Sequence, residues 1–162
     1  MSQANHQALL EAVKMAMNAE QEAAAFYEKA AGNTGDPRGR DMFLQLVTFE
    51  KSHYVALGKL QSSLEGGEFQ AYKGTAFSAT KPGVPLSDFS PKRLKTDIDA
   101  LNFAIEAEKK ARATYLDLAG SAPGQEVADF FKKLAAEEQL HQKVLEDQFY
   151  ALSNRGYWTW GE

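Results

Sequence analysis

The sequence predicts an all-α protein, a four-helix bundle made of two repeated helical hairpins with one long crossover between helices 2 and 3. Apolar residues recur at three- and four-residue spacings through four long stretches, as in helices that bury one stripe. No segment alternates with the period of two that a half-buried strand requires. The third observation is an internal repeat in which residue n has its counterpart at n + 88. Ala16/Ala104, Glu20/Glu108, Ala23/Ala111, Tyr27/Tyr115, Ala31/Ala119, Phe43/Phe131, Leu46/Leu134, Glu50/Glu138, His53/His141 and Leu57/Leu145 all obey it. No gap is needed across the loop inside each copy, so the repeated unit is a whole hairpin.

The first helix is expected from about Asn5 to Ala31, on a stripe of Leu9, Val13, Ala16, Met17, Ala23, Ala24 and Tyr27. Glu20 lies in the middle of that stripe. Gly32 is read as the residue past its end, free to take a positive φ and stop it. Asp36-Pro37 then supplies an N-cap and a first helical residue. The second stripe is Phe43, Leu46, Val47, Glu50, His53, Tyr54, Leu57, Leu60 and Leu64, ending at Gly66-Gly67. After it, Gly, Pro, Ser and Thr with the scattered aromatics Phe69, Tyr72, Phe77 and Phe89 show no period, which marks a long crossover. Either Ser90-Pro91 or Thr96, with Asp99 three residues on, can start the third helix. Its stripe is Ile98, Leu101, Ala104, Ile105, Glu108, Ala111, Tyr115 and Leu118, and Gly120 ends it. The fourth runs from about Gln125 to Asn154 with Val127, Phe131, Leu134, Ala135, Glu138, His141, Leu145, Phe149 and Leu152 on one side. One domain is expected, divided into a helix pair 5–65, a crossover 66–95, a helix pair 96–154 and an aromatic tail 155–162. Tyr157, Trp158 and Trp160 of the tail either cap the bundle end or form a subunit contact.

Composition narrows the chemistry. The chain has 162 residues, 44% hydrophobic and 25% charged, as a globular domain with a proper core does. No apolar run approaches the roughly eighteen residues of a membrane span. Met1-Ser-Gln-Ala-Asn5 lacks the basic and apolar regions of a signal peptide, so a cytoplasmic location is expected. Cysteine is absent, which removes disulfides, iron–sulfur clusters, thiolate zinc sites and thiol catalysis. The net charge of −4 and the lack of a basic stripe argue against nucleic acid as a partner.

Two words carry the chemistry, Glu50-Lys-Ser-His53 and Glu138-Gln-Leu-His141. A spacing of three puts a carboxylate and an imidazole on one helix face, a turn apart. One such word alone is most often a solvated face. Its duplicate, in the same register and within apolar stripes, and with Glu20 and Glu108 repeated on the partner helices, points inward instead. Four carboxylates and two imidazoles in one core are very unfavourable unless protons or cations neutralise them. Two divalent metals balance four carboxylates and two neutral imidazoles, so the six residues are read as a dinuclear metal centre. Tyr27 and Tyr115 follow Glu20 and Glu108 by two turns and are candidates for hydrogen bonds to ligand carboxylates. His6, Glu11, Glu28, Glu65 and Glu126 fall outside the pattern and are assigned to the surface.

Glu20, Glu50-x-x-His53, Glu108 and Glu138-x-x-His141 resemble the ligand set of ferritin-like di-iron carboxylate proteins. The stretches Ala104–Tyr115 and Phe131–His141 are similar to the rubrerythrin branch, here without a rubredoxin domain. The resemblance covers both helix pairs but not the crossover or the tail. It implies two iron ions bridged by Glu50 and Glu138, with Glu20 and Glu108 as terminal ligands and one histidine on each iron. Manganese or zinc suits the same donors. It further implies oxidative-stress chemistry: reduction of peroxide or O2 with electrons from an external donor protein such as a rubredoxin, in a homodimer. A ferroxidase and iron-storage protein of ferritin type, or a non-catalytic metal-binding bundle, are the alternatives. In two respects the chain departs from rubrerythrins: it has no cysteine, and Ala111 stands where they carry an extra carboxylate. Arg112, opposite Ala24 in the repeat, has no role assigned.

Overall fold

A computed structural model of the chain describes residues 2–78 and 91–162. It contains α1 (Gln3–Asn33), α2 (Pro37–Leu64), α3 (Pro91–Gly120) and α4 (Gln125–Arg155), with no strand among the described residues. Short turns make α1 and α2 one antiparallel pair and α3 and α4 the other. The pairs meet along α1 and α3. This is an all-α four-helix bundle of the ferritin-like kind, as the stripes and the repeat predict.

Helix ends follow local chemistry, with two corrections. Gly32 does not stop α1. It stays helical, and the chain turns at Thr34, with φ −74° and ψ 138°. The Thr34 N–H returns to the Ala30 carbonyl at 3.0 Å, and its hydroxyl donates to the buried Asp97 carboxylate of α3 at 3.0 Å. A buried polar tether to the other hairpin, rather than a left-handed glycine, sets this end. The second correction is to the crossover boundary at 95/96: of the two starts open to α3, the helix takes the one at Pro91. Proline suits a first helical position because its missing N–H would have had no partner there. Residues 79–90 of the crossover, with Phe89 and Ser90, lie outside the described residues. Elsewhere the caps are as expected. The Asp36 side chain accepts the Arg38 N–H at 2.8 Å ahead of Pro37. Gly66, at φ 106°, and Gly156, at φ 79°, take the left-handed backbone that ends α2 and α4.

The buried side chains form two apolar cores stacked along the bundle. One gathers Tyr27, Met42, Phe43, Leu46, Leu101, Leu145, Leu152 and Trp158. The other gathers Val13, Leu57, Leu60, Tyr115, Phe130, Phe131 and Leu134. The repeat reappears in space as matching aromatic stacks. Tyr27 and Phe43 have centroids 6.1 Å apart, and their counterparts Tyr115 and Phe131 are 6.3 Å apart. Between the two cores lies a layer of buried polar residues.

The tail caps the bundle end. Trp158 is buried with its edge toward Phe43, and its indole N–H donates to Asp97 at 3.3 Å. The Trp160 indole donates to Asp41 at 2.8 Å, while the Gln148 side-chain oxygen takes the Thr159 and Trp160 N–H groups. Gly39 is what lets α2 approach Trp158, since a Cβ there would lie 2.6 Å from the indole Cε2. Gly39→Ala is therefore expected to displace the tail and destabilise the protein by about 1–3 kcal/mol, the usual effect of overpacking. Urea unfolding followed by tryptophan fluorescence checks it; an unchanged midpoint would mean that Trp158 is not seated against α2.

Candidate metal centre

Each helix contributes to the polar layer from its middle, at stripe positions where an apolar residue would otherwise sit. Glu20 comes from α1, Glu50 and His53 from α2, Glu108 from α3, and Glu138 and His141 from α4. All six are nearly or completely buried: the carboxylates are at most 3% exposed, and both imidazoles are 0% exposed. They form two overlapping groups, Glu20, Glu50, His53 and Glu138, then Glu50, Glu108, Glu138 and His141. In each group one donor atom per residue lies within 4.8 Å of the others. Glu50 and Glu138 belong to both. The rings of His53 and His141 are nearly parallel, 5.7 Å apart.

The donor set fits divalent cations. Buried polar atoms without a hydrogen-bond partner are rare and call for an explanation. Here they include Glu20 Oε2, Glu50 Oε1, His53 Nδ1 and Glu138 Oε1, one atom from every member of the first group. His53 Nδ1 lies 2.9 Å from Glu138 Oε1 and 3.4 Å from Glu20 Oε1. His141 Nδ1 faces Glu138 at 3.1 Å, Glu50 at 3.3 Å and Glu108 at 3.6 Å. Mixed carboxylate and imidazole donors of this kind suit iron, manganese or zinc.

Tyr27 and Tyr115 cross between the hairpins. The Tyr27 hydroxyl donates to Glu108 at 2.5 Å, and the Tyr115 hydroxyl donates to Glu20. Each tyrosine thus steadies the carboxylate of the opposite copy. Burial, then the Glu108 or Glu20 charge it faces, holds each phenol well above its usual range, so both stay protonated donors.

One participant lay outside the sequence pattern. Glu137, next to Glu138, is buried and is the hub of its own network. It meets His53 Nε2 at 2.6 Å and accepts the Tyr72 hydroxyl at 2.5 Å and the Thr75 N–H at 2.7 Å. Tyr72 and Thr75 belong to the crossover, which lies here against α2 and α4. Glu137 sits four residues before His141 on the same face, and its repeat counterpart is the apolar Phe49. That mismatch was the available signal. On the other side, Phe49 and Phe77 stand nearly perpendicular to the His141 ring, with centroids 4.4 and 5.8 Å away, and His141 Nε2 has no hydrogen-bond partner. Arg112 is partly buried and makes no ion pair among the described residues.

Without metal, protons must neutralise the cluster. Burial, then the charges of Glu138, Glu108 and Glu20, pushes the Glu50 carboxyl well up. Burial and Glu138 push Glu108 up to about 8. For Glu138 burial opposes ionisation, but hydrogen bonds from Glu108, His141 and His53 outweigh it and hold it well below the usual value. Burial likewise opposes the charged imidazoles, yet the surrounding carboxylates raise both.

Two outcomes follow for the metal-free and metal-loaded protein. Glu50, Glu108 and the imidazoles bind protons more tightly folded than unfolded, so their contribution to stability is complete in acid and disappears with rising pH. The loss begins above the ordinary carboxylate value of 4.5 and runs through about 8. Glu137 and Glu138 are shifted down and weaken the fold only in acid. Thermal scans of metal-free protein should therefore show a midpoint falling from about pH 5 to about pH 8, and saturating divalent metal, which replaces the protons, should abolish the fall. A flat metal-free profile would contradict the cluster. Separately, Glu137→Gln should weaken metal binding by about 10–100-fold, the usual effect of losing an imidazole's carboxylate partner, as read by calorimetric titration with Mn(II).

The profile of the family described as Rubrerythrin matches residues 3–61 and 99–155, both helix pairs without the crossover and the tail. No curated protein and no solved structure gives a significant match. No helix among the described residues is long and apolar enough to cross a membrane.

Proposed function

The chain belongs to the rubrerythrin family, and from that premise we propose that it is a non-haem di-iron oxidoreductase that reduces peroxide with electrons from an external donor protein. The observation that carries the reading is the pair of overlapping, buried donor groups sharing Glu50 and Glu138. Glu20, Glu50, His53 and Glu138 would hold one iron, and Glu50, Glu108, Glu138 and His141 the other. A ferrous pair supplies two electrons, the number needed to cleave a peroxide O–O bond. With no cysteine the chain has no iron–sulfur relay of its own, so a one-electron protein such as a rubredoxin is the proposed donor.

The rest of the mechanism belongs to the side chains. Glu137 fixes the His53 tautomer: Nε2–H donates to its carboxylate and leaves the Nδ1 lone pair facing Glu20 and Glu138. The two tyrosine hydroxyls each occupy one carboxylate oxygen of Glu108 and Glu20, which orients the other oxygen. The apolar cores above and below hold the four helices at the spacing that brings the six donor residues together.

Stopped-flow mixing of di-ferrous protein with equal concentrations of H2O2 and O2 tests the reading. Oxidation by H2O2 is expected to be faster by about tenfold or more, which is about 1.4 kcal/mol of barrier. Faster oxidation by O2 would replace peroxide reduction with a ferroxidase, and Glu50→Ala protein that still bound two irons would remove the di-iron centre altogether.

A further inference from the structure

Between α1 and α3 lies a cavity of about 610 Å³ whose inner wall is the metal centre itself, through Glu20, Glu50, Glu108, Tyr27 and Tyr115. Its volume falls among sites that take small organic ligands, about 300–1,000 Å³. It is far larger than the space one water molecule needs, and H2O2 is little larger than water. The size is built into the repeat. Ala16, Ala19 and Ala23 of α1 and their n + 88 counterparts Ala104, Ala107 and Ala111 of α3 all line it, so no bulky side chain fills the gap between these helices. Phe26 and Phe103 close one end, with centroids 4.9 Å apart, and Phe103 is 62% exposed there. Charged side chains, Glu22, Glu106 and Lys110, occur among its exposed lining residues.

Two facts indicate a ligand rather than loose packing. The buried Glu20, Glu50 and Glu108 of the metal centre form part of the cavity wall, so a molecule held there lies against the reacting site. And H2O2 does not need so large an apolar route. A separate, smaller opening of about 270 Å³ between α1 and α2 reaches Glu20 and Glu50 past the Glu28–Lys51 ion pair, of a size suited to H2O2 and water.

We propose that the α1–α3 cavity binds organic hydroperoxides, with the apolar substituent against the alanines and Phe26/Phe103 and the –OOH group at the metal centre. The proposal rests on the peroxide-reducing reading above and names its substrate class. The O–O bond of ROOH breaks. One oxygen stays in the alcohol ROH and the other leaves as water. Two protons come from solvent and two electrons from the ferrous pair, which is restored by two one-electron transfers from the external donor. The alcohol leaves by the same cavity.

Cumene hydroperoxide and H2O2, each mixed with the di-ferrous protein, provide the kinetic test, and the metal-free protein provides a binding test independent of turnover. Cumene hydroperoxide is expected to react at least as fast as H2O2. Ala107→Phe at the mouth and Ala111→Leu deeper inside are expected to lower the ratio of the two rate constants by about tenfold. Ala107 is solvent-exposed, so its replacement leaves the core packing intact even if Ala111→Leu disturbs it. In metal-free protein with 13C-labelled alanine methyls, 2-phenyl-2-propanol, the product alcohol, should shift the methyls of the six lining alanines saturably. If H2O2 oxidises the protein while cumene hydroperoxide lags tenfold or more, the cavity proposal is overturned and the peroxide reading stands. An unchanged ratio in Ala107→Phe, or lining methyls that respond to protein concentration and not to the alcohol, would also overturn it, the latter assigning the cavity to a second copy of the chain. If neither peroxide oxidises the centre, the underlying reading has failed instead.

Discussion

Carboxylates packed side by side repel one another most where water is excluded, and a helical core offers no solvent to dissipate the charge. Glu20, Glu50, Glu108 and Glu138 are buried together under that constraint. Much of the surrounding structure manages it. Two imidazoles are inserted among the carboxylates, two tyrosine hydroxyls cross from hairpin to hairpin to satisfy one oxygen each, and apolar cores above and below hold the layer in place. Five of its polar atoms still have no hydrogen-bond partner. A layer so incompletely satisfied is a poor device for stability, since apolar residues at the same positions would pack as well without the desolvation penalty. It is intelligible as a site that divalent cations complete.

The duplicated hairpin makes the centre symmetric in its ligands, and the crossover makes it asymmetric in its surroundings. Around His53 the crossover brings Tyr72 and Thr75 to Glu137, a polar network that anchors the imidazole. Around His141 the same crossover brings Phe77 beside Phe49, and both rings stand nearly perpendicular to the imidazole. The crossover is thus a wall of the site on the α2–α4 side as well as a connection. On the α1–α3 side nothing comparable covers the layer among the described residues, and the alanines repeated on both helices leave space. One side of the centre is sealed and the other open, which gives the molecule a direction that the ligand pattern alone does not have.

How much of this could be read from the sequence depended on whether a residue belonged to a period. The four stripes and the six repeated Glu and His residues were legible, because helical spacing and the n + 88 register act on every residue of the elements concerned. Tyr27 and Tyr115 could be placed near the centre, but not that each would bond the carboxylate of the opposite copy, since crossing depends on how the hairpins pack. Glu137 escaped because its repeat partner is Phe49, so a search for matched pairs passes over it. Tyr72 and Thr75 escaped because the crossover has no period at all. The end of α1 lies beyond the expected Gly32 for a similar reason: Thr34 is held by Asp97 of the other hairpin, a tertiary contact that local residue preferences do not encode. The apolar cavity follows from residues that are small, and a run of alanines in a helix reads as ordinary helix-forming sequence until a neighbouring helix is placed beside it.

The central claim is that the buried carboxylates are neutralised by two cations rather than by protons. Anomalous diffraction from crystals grown with Mn(II) addresses it directly. Two peaks about 3.5–4 Å apart are expected, as in other two-metal sites. One should lie among Glu20, Glu50, His53 and Glu138, and the other among Glu50, Glu108, Glu138 and His141. A single peak, or none, with the carboxylates paired to each other through shared protons, would contradict it.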